Sequence, residues 1–357
     1  MADLLVNRAD LRQTRIAESS PPAPGEGEAL LRVDRFGMTA NNVTYAVMGE
    51  AMSYWSFFPT AEEGWGRVPV WGFAEVQASN APGVEPGTRV YGYLPPSSHL
   101  LVAPADADER GFLDGAPHRA ALPSAYHRYL ASASDPFYSA RTEDLQLLLR
   151  PLFFTSFLID DQLADEGLAE RGPVFVSSAS SKTAIAAAFL LSRRPGVELV
   201  GLTSPANAEF VSGLGIYDRT VVYGEIGSLE AGPATYVDVS GDGAVRRAVH
   251  ERYGSSLLHS MAVGLTHWEE LGAAAGELPG PSPTLFFAPD RVVKRSADWG
   301  REALERRVAE AWHPFCDWIG GWLETIPVRG LEGARQAYLE VIEGAVDPRT
   351  AHVVSLA

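Results

Sequence analysis

The sequence has 357 residues, a formal net charge of −16 and a single cysteine, Cys316. One hydrophobic core rarely serves more than about 250 to 300 residues, so two domains are expected. The negative charge argues against nucleic acid or an anionic membrane as a partner, and the lone cysteine excludes an internal disulfide and a multi-cysteine zinc site.

The N-terminal stretch MADLLVNRADLRQTR lacks a long apolar core before a cleavage site, and no run of about 18 apolar residues follows. The sequence therefore predicts neither secretion nor a membrane span. Together with the lone cysteine, this favours the reducing cytoplasm.

The first third of the chain is predicted to be rich in β-strands. Residues 29–33 read as a strand after the turn-rich SPPAPGEGE, and residues 68–77 followed by APGVEPGTRVYGYL read as strand, turn and strand. An irregular stretch between them concentrates aromatic residues, namely Tyr54, Trp55, Phe57, Phe58 and Trp65. These side chains form either a satellite core under a loop or the wall of an apolar substrate pocket.

Residues 97–144 show no clear period, and their role is left open. From Glu143 an apolar helical pattern, LQLLLRPLFFTSFLIDDQLAD, leads into the second domain.

The stretch PVFVSSASSKTAIAAAFLLSRR has the pattern of a strand, a tight turn and a helix. Ser178, Ser181 and Ala184 are small residues spaced three apart, which suits a βα turn that approaches a ligand closely, although the usual glycines are missing. Hydroxyls and Lys182 at the helix N-terminus favour a bound phosphate. The alternative is an ordinary buried βα unit.

Strands and helices alternate through the rest of this domain, with strands predicted at residues 197–202, 220–223 and 234–239 and a further strand region in SLLHSMAVG. This alternation predicts a doubly wound parallel sheet, whose ligands bind at the carboxyl ends of the strands. Small or hydroxyl residues stand at four such ends, namely Ser177-Ser178, Thr203-Ser204, Ser240-Gly241 and Gly264-Leu265-Thr266.

The last part of the chain is predicted to begin with a helix over residues 299–324, in which periodic tryptophans face a core. A strand, a helix in LEGARQAYLEVIEG and a closing strand in HVVSL follow.

The order of these elements resembles the medium-chain dehydrogenase/reductase superfamily, of the zinc-free quinone-reductase and enoyl-reductase kind. The resemblance is carried by PGEGEALLRVDRFGMTANN, VEPGTRVYGY, LTSPANAEFVSGLGIYDRTVVY and the closing IPVRGLEGARQAYLEVIEGAVDPRTAHVVSL. With SSASSKT in place of the glycine motif, the chain resembles an uncharacterised branch of unknown function. The resemblance implies an α/β fold with a Rossmann-type nucleotide-binding domain (149–325), a β-rich GroES-like catalytic domain (1–148 and 326–357) and a homodimer.

The predicted cofactor is NADPH. An NAD site needs an acidic residue about 20 residues past the turn, whereas here the second strand ends in Thr203-Ser204, near Lys182 and Asn207. The predicted cofactor-binding residues are Ser178, Ala179, Ser180, Ser181, Lys182, Thr183, Thr203, Ser204, Asn207, Tyr223, Ser240, Gly264 and Thr266.

The predicted reaction is hydride addition to an enone, a quinone or an enoyl thioester. No zinc ligands are evident, and this addition needs one hydrogen-bond donor at the developing enolate oxygen. The candidate catalytic residues are Tyr45, Tyr54 and Asn42, although a tyrosine commonly fills a core and an asparagine commonly satisfies a turn. A small apolar or aromatic substrate is expected to meet Asn41, Trp55, Phe58, Thr155 and His267.

Two other functions stay open at this point. The chain could be a dehydrogenase-like protein without hydride transfer, serving as a nucleotide-binding sensor or scaffold. It could also use the same pocket for lyase or isomerase chemistry.

Overall fold

The computed structural model describes residues 1–263, 278–344 and 346–356. The chain forms two compact units, unit 1 with residues 1–148 and 316–357 and unit 2 with residues 149–315. Among the helices in the described ranges, none is both long and apolar enough to cross a membrane.

The strands of the described residues are, in chain order, β1 (Ala2–Asn7), β2 (Thr14–Glu18), β3 (Ala29–Met38), β4 (Trp65–Gly66), β5 (Val70–Ser79), β6 (Arg89–Leu94), β7 (His99–Val102), β8 (Pro104–Asp108), β9 (Gly111–Asp114), β10 (Arg128–Ala131), β11 (Val174–Val176), β12 (Leu199–Thr203), β13 (Arg219–Val222), β14 (Ala234–Asp238), β15 (Leu257–Ala262), β16 (Thr284–Leu285), β17 (Glu324–Arg329) and β18 (Thr350–Ser355).

The α-helices of the same residues are α1 (Ala40–Val47), α2 (Glu143–Asp165), α3 (Lys182–Leu191), α4 (Ala208–Gly213), α5 (Gly243–Tyr253), α6 (Ala288–Trp299), α7 (Arg301–Ile319) and α8 (Gly330–Ile342).

Unit 1 contains two β-sheets. The smaller has the order β2-β1-β4, and the larger has the order β17-β18-β3-β5-β6-β10-β9-β8, with β7 also paired to β3. Close packing requires glycine at several positions of the larger sheet. For example, a Cβ on Gly72 would lie 2.1 Å from the Arg35 carbonyl oxygen, and one on Gly92 would lie 2.6 Å from the Tyr129 ring. Helix α8 buries Leu331, Ala334, Ala337, Tyr338 and Val341 in the same core as β1 and β3.

Unit 2 contains one parallel sheet with the order β13-β12-β11-β14-β15-β16. Numbered within the unit, this is the order 3-2-1-4-5-6 of the Rossmann fold. The apolar run Val174–Val176 is fully buried because both faces of a doubly wound sheet are covered. The predicted fold class, a Rossmann-type sheet with a β-rich GroES-like domain, is confirmed.

One predicted helix is wrong in its bounds. The stretch 299–324 was expected to be continuous, whereas α6 ends at Trp299, α7 runs from Arg301 to Ile319, and β17 begins at Glu324. Gly300 separates the helices with a φ of +82°, a left-handed conformation that glycine adopts without strain.

The region 97–144, left open by the sequence, contains the four strands β7 to β10.

Candidate functional site

The turn between β11 and α3 is built around Ser178, whose φ of +51° is left-handed. A nucleotide-binding turn normally has glycine where the backbone takes this conformation. Ser181 caps α3, because its Oγ accepts a hydrogen bond from the Ala184 amide at 3.3 Å, and its own amide donates to the Ser178 carbonyl at 2.7 Å. The local sequence therefore forms the expected strand, turn and helix without a glycine.

Two further backbone amides of this turn also bond within the protein. The Ser178 amide donates to the Tyr223 hydroxyl at 3.1 Å, and the Ala179 amide donates to the Leu202 carbonyl at 3.1 Å. Burial raises the pKa of Tyr223, so this hydroxyl keeps its proton and can donate it while accepting from Ser178. Side-chain hydroxyls thus provide hydrogen-bond donors at a place where Rossmann proteins usually offer backbone N–H groups to the nucleotide.

The end of β12 lies next to the same turn. The Asn207 side-chain amide donates to Ser180 Oγ at 3.0 Å, and the Ser204 carbonyl accepts from the Asn207 amide at 3.1 Å. The hydroxyl of Thr203 is buried and, among the described residues, has no hydrogen-bond partner. A buried hydroxyl without a partner is costly, which makes Thr203 a candidate ligand contact.

Ser240 is linked to Ser177, just before the turn, by the buried carboxylate of Asp238, which sequence reasoning missed. Asp238 Oδ1 accepts from Ser177 Oγ at 2.9 Å, Ser240 Oγ at 2.9 Å and the Gly241 amide at 3.0 Å. Its Oδ2 accepts from Arg246 Nε at 2.8 Å. The sequence signal was an aspartate at a predicted strand end with an arginine eight residues later, near the start of the next helix.

Two further unit 2 candidates lie at the start of α3. Lys182 is its first residue and Thr183 its second, and the Thr183 carbonyl accepts from Ser156 Oγ at 2.8 Å. Thr155 Oγ1 donates to the Pro151 carbonyl at 3.1 Å, so this hydroxyl is already used within α2. The candidates Gly264, Thr266 and His267 lie outside the described residues.

In unit 1, two N–H groups converge on the Tyr45 hydroxyl. Asn41 Nδ2 donates to it at 2.7 Å and Trp71 Nε1 donates at 2.9 Å. These bonds fill both acceptor positions of the phenol oxygen, so toward a third group Tyr45 is a proton donor. Burial raises the pKa of Tyr45 well above its ordinary value, and the bond from Trp71 acts in the opposite direction.

Tyr54 belongs to the same aromatic cluster. Its ring lies 4.7 Å from that of Tyr45, and its hydroxyl is 3.4 Å from the Tyr126 hydroxyl. Burial raises the pKa of Tyr54, and the Tyr126 hydroxyl partly offsets this rise. The two tyrosines predicted to be catalytic are thus adjacent, and Tyr126 is a neighbour that the sequence did not indicate.

Asn42 has a structural position. Its Oδ1 accepts from the Thr39 amide at 2.7 Å in a capping box at the start of α1, and its Nδ2 donates to the Pro69 carbonyl at 2.8 Å. These bonds match the structural alternative raised for this asparagine.

Two aromatic residues predicted to line the substrate pocket are buried. A Cβ on Gly49 or on Gly66 would lie 2.0 Å or 2.5 Å from Trp55, so the indole fills the space that these two glycines leave. The ring of Phe58 packs on Tyr93 at 5.8 Å and on the guanidinium of Arg119 at 4.8 Å. Both belong to the core of unit 1.

Arg119 is a second buried charge that the sequence did not reveal. It is 1% exposed, and its Nε lies 3.1 Å from Asp114 Oδ2. It lies in the connection between β9 and β10, which are antiparallel neighbours in the larger sheet.

No group of three His, Cys, Asp or Glu side chains placed to hold a metal ion occurs in the described ranges.

Replacing Ser178 by Gly is expected to raise the free energy of unfolding by about 1 kcal/mol, because left-handed strain costs more than the backbone freedom that glycine adds. Urea unfolding measures this change. The matched Ser180→Gly variant should lose stability, since no left-handed φ occurs at Ser180 and its bond from Asn207 would be lost. A destabilised Ser178→Gly variant would contradict the strained turn.

The 3-2-1-4-5-6 sheet of unit 2 and the antiparallel sheets of unit 1 define a two-unit α/β protein of the Rossmann and GroES-like class. The chain belongs to the family described as protein of unknown function (DUF2855), whose model matches residues 36–347. No curated protein is similar to it in sequence.

Solved structures share this fold at low sequence identity. CurA from Vibrio vulnificus, in complex with NADPH, is 16% identical with a TM-score of 0.61, and the match covers 100% of this chain and 99% of CurA. The yhdH oxidoreductase from Salmonella enterica, in complex with NADP, is 16% identical with a TM-score of 0.56 and complete coverage of both chains. The CurF ER cyclopropanase of the curacin A biosynthetic pathway is 15% identical with a TM-score of 0.60, covering 100% of this chain and 99% of that one.

Proposed function

We propose that this protein is an NADPH-dependent, zinc-independent reductase of a polarised double bond or carbonyl, such as an enone, a quinone or an enoyl thioester. The observation that carries the proposal is the set of hydroxyls at the carboxyl ends of β11 and β12, above all the buried Thr203 hydroxyl without a partner among the described residues. NADPH or NADP in structures of the same fold gives further support.

The residues present fit a dinucleotide. Ser178, Ser180 and Ser181 provide hydroxyls and a left-handed turn at the start of α3, where the helix dipole favours a phosphate. The Thr203 hydroxyl would gain the hydrogen-bond partner that it lacks. The Asn207 amide and the Tyr223 hydroxyl add polar groups at the turn, where they bond to Ser180 and Ser178. The second strand ends in Thr203-Ser204 instead of an acid, which removes the charge that would repel a 2′-phosphate.

NADPH should bind at least about tenfold more tightly than NADH. Thr203→Val keeps the size of the side chain but removes its hydroxyl, and should weaken NADPH binding about three- to tenfold. Isothermal titration calorimetry with both nucleotides measures this. Thr220→Val, in the amino-terminal half of β13 and not at its carboxyl end, is the matched control and should leave affinity unchanged. Tighter NADH binding would reverse the assignment, and binding of neither nucleotide would remove the cofactor.

The chemistry assigned to unit 1 is proton donation. Reduced nicotinamide, when bound, supplies hydride to a substrate carbon, and one proton must reach the substrate to complete the reduction. Tyr45 is suited to donate that proton, because Asn41 and Trp71 both donate to its oxygen and leave its O–H as the donor. The same two N–H groups would stabilise the phenolate until solvent restores the proton. The proposed reaction uses hydrogen-bond donors and needs no zinc.

A panel assay tests the function. The intact protein is incubated with NADPH and a set of enones, quinones and enoyl thioesters, and oxidation of NADPH is followed at about 340 nm. Oxidation that depends on the substrate supports the reductase. NADPH binding without oxidation favours the sensor or scaffold, and substrate conversion without oxidation favours the lyase or isomerase.

A further inference from the structure

Unit 2 has a cavity of about 350 Å³ at the amino-terminal ends of its parallel strands, here called the amino-end cavity. Four of its lining residues lie at or directly before the starts of β11 to β14, namely Pro173, Glu198, Arg219 and Pro233. The proposed nucleotide site lies at the opposite ends of these strands, and the step from Pro173 to Ser177 covers about 13 Å of extended chain. We propose that the amino-end cavity binds a small organic cation with one positive charge and N–H donors. This proposal goes beyond the reductase function and does not depend on it.

The first step is the charge of the lining. Glu198 and Glu230 contribute two carboxylates, and Arg219 contributes one guanidinium. Arg219 Nη2 lies 3.1 Å from Glu198 Oε1, so these two charges offset each other. Glu230 forms no ion pair in the part of the chain that the structure describes. Two carboxylates and one guanidinium leave a formal charge of −1, which one positive charge on a ligand would balance.

The second step is a buried hydroxyl among these charges. Tyr253 lines the amino-end cavity and is only 7% exposed, and its hydroxyl has no hydrogen-bond partner among the described residues. Burial raises the pKa of Tyr253, two nearby arginines lower it, and the lining carboxylates of Glu198 and Glu230 raise it further. The hydroxyl therefore stays protonated at neutral pH and lies in the field of these carboxylates. An N–H group of a ligand would give its oxygen the hydrogen bond that it lacks.

Arg252, the arginine next to Tyr253 in the sequence, does not occupy the amino-end cavity. Its guanidinium lies 5.9 Å from the centre of the Tyr253 ring, and its Nε donates to the Leu229 carbonyl at 2.6 Å. The backbone thus holds this cation, which is not part of the lining. The carboxylate of Glu230 remains available to a ligand.

The third step is the size of the amino-end cavity and its walls. Its volume lies in the range of small-molecule sites, about 300 to 1,000 Å³, whereas one water takes up only about 30 Å³ in the liquid. Pro173, Ala231 and Pro233 add apolar wall beside the charges. A Cβ on Gly172 would lie 2.1 Å from the Pro233 carbonyl oxygen, so the two segments pack closely and this wall is preformed. These features favour an organic cation with an apolar body over a bare metal ion, which needs more oxygen ligands.

Three probes of similar size and different charge test the proposal on the intact protein without nucleotide. Benzylamine is a cation at neutral pH, benzyl alcohol is neutral and benzoate is an anion. Ligand-observed NMR titrations at low salt measure the three affinities. Benzylamine should bind about tenfold more tightly than benzyl alcohol, because it adds a charge-assisted hydrogen bond, and benzoate should bind most weakly. Equal affinities for benzylamine and benzyl alcohol, no binding of any probe, or tightest binding of benzoate would each overturn the proposal.

A pair of variants with equal net charge shows whether the cation binds in the amino-end cavity. Glu230→Gln should lower benzylamine affinity about fivefold and leave benzyl alcohol affinity unchanged. Glu209→Gln removes an exposed carboxylate at the start of α4, which follows the carboxyl end of β12, and should change benzylamine affinity less than about twofold. This comparison removes the general attraction of a negatively charged protein for cations. Equal losses in the two variants would place the cation elsewhere and overturn the proposal.

A third variant tests the buried hydroxyl. Tyr253→Phe keeps the ring, which lies 5.0 Å from the ring of Phe175, and removes only the O–H. Benzylamine affinity should fall about two- to threefold. Unchanged affinity would show that the Tyr253 hydroxyl is not part of the site.

The outcome is independent of the test of hydride transfer, because the probes are titrated without NADPH. A protein that oxidises no NADPH but binds benzylamine through Glu230 keeps the amino-end cavity site and loses the reductase assignment. A protein that reduces enones but shows no preference for benzylamine keeps the reductase assignment and loses the amino-end cavity site.

Discussion

The Tyr45→Phe variant is expected to lose about 100-fold or more in turnover while its NADPH affinity stays within about twofold of the parent, since general acid catalysis contributes about 10² to 10⁴ to a rate. Only the O–H is removed, and the ring keeps its contacts with Tyr54 and Tyr93. Turnover with the best substrate of the panel and calorimetry with NADPH measure the two quantities.

The matched control is Tyr338→Phe. Tyr338 is buried in unit 1 on α8, and its hydroxyl has no partner among the described residues, so its removal breaks no described bond. Because burial raises the pKa of Tyr45, its O–H stays protonated from about pH 6 to about pH 9, and Tyr45 should add no pH dependence to turnover there. Full turnover in the Tyr45→Phe variant would remove Tyr45 as the proton donor.

The second large effect is expected from Asp238→Asn. This change keeps the shape of the side chain but leaves Arg246 buried without a counter-charge, and breaking a buried ion pair in this way costs about 3 to 5 kcal/mol. The free energy of unfolding in urea should fall by about that amount. Nucleotide affinity should fall as well, because Asp238 fixes Ser177 and Ser240 beside the turn.

Two comparisons show whether the loss is due to the unpaired charge. Glu198→Gln removes the partner of Arg219 in an exposed ion pair and should cost less than about 1 kcal/mol. Adding Arg246→Leu to Asp238→Asn should recover part of the loss, because the unpaired cation is gone. A loss in Asp238→Asn as small as that in Glu198→Gln would show that the pair is not important for stability.

The architecture of unit 2 was predictable because its signals are local. The buried run Val174–Val176, the hydroxyl-rich turn and the alanine-rich α3 follow one another in the sequence, and the parallel order then follows from the alternation of strands and helices. The break between α6 and α7 could have been predicted too, since Gly300 after Trp299 is a common helix end.

The polar interior was harder to predict. Asp238 and Arg246 are near in sequence, but only the sheet brings Ser177, 61 residues from Asp238, to the same carboxylate. Tyr126 lies 72 residues from Tyr54, in a region without a readable period. Trp55 was predicted to lie either in the wall of a substrate pocket or in a satellite core. The indole fills a space next to Gly49 and Gly66, and this space forms only when the chain folds. Contacts of this kind form between residues that are distant in the sequence, and the hydrophobic periodicity of a single segment does not show them.

The pairing of β3 with β18 also has a consequence for how this protein is made. Met38 pairs with His352 and Arg35 with Ser355, so β3 meets this partner more than 300 residues later in the chain. At about 5 to 20 residues per second, a ribosome needs roughly 15 to 60 s to synthesise that interval. All of unit 2 is synthesised in the meantime, and the Arg35–Met38 segment of β3 has to wait as an unpaired edge, whereas Ala29–Arg32 can already pair with β7. Newly made chains should therefore need protection from aggregation until the last strand has left the ribosome.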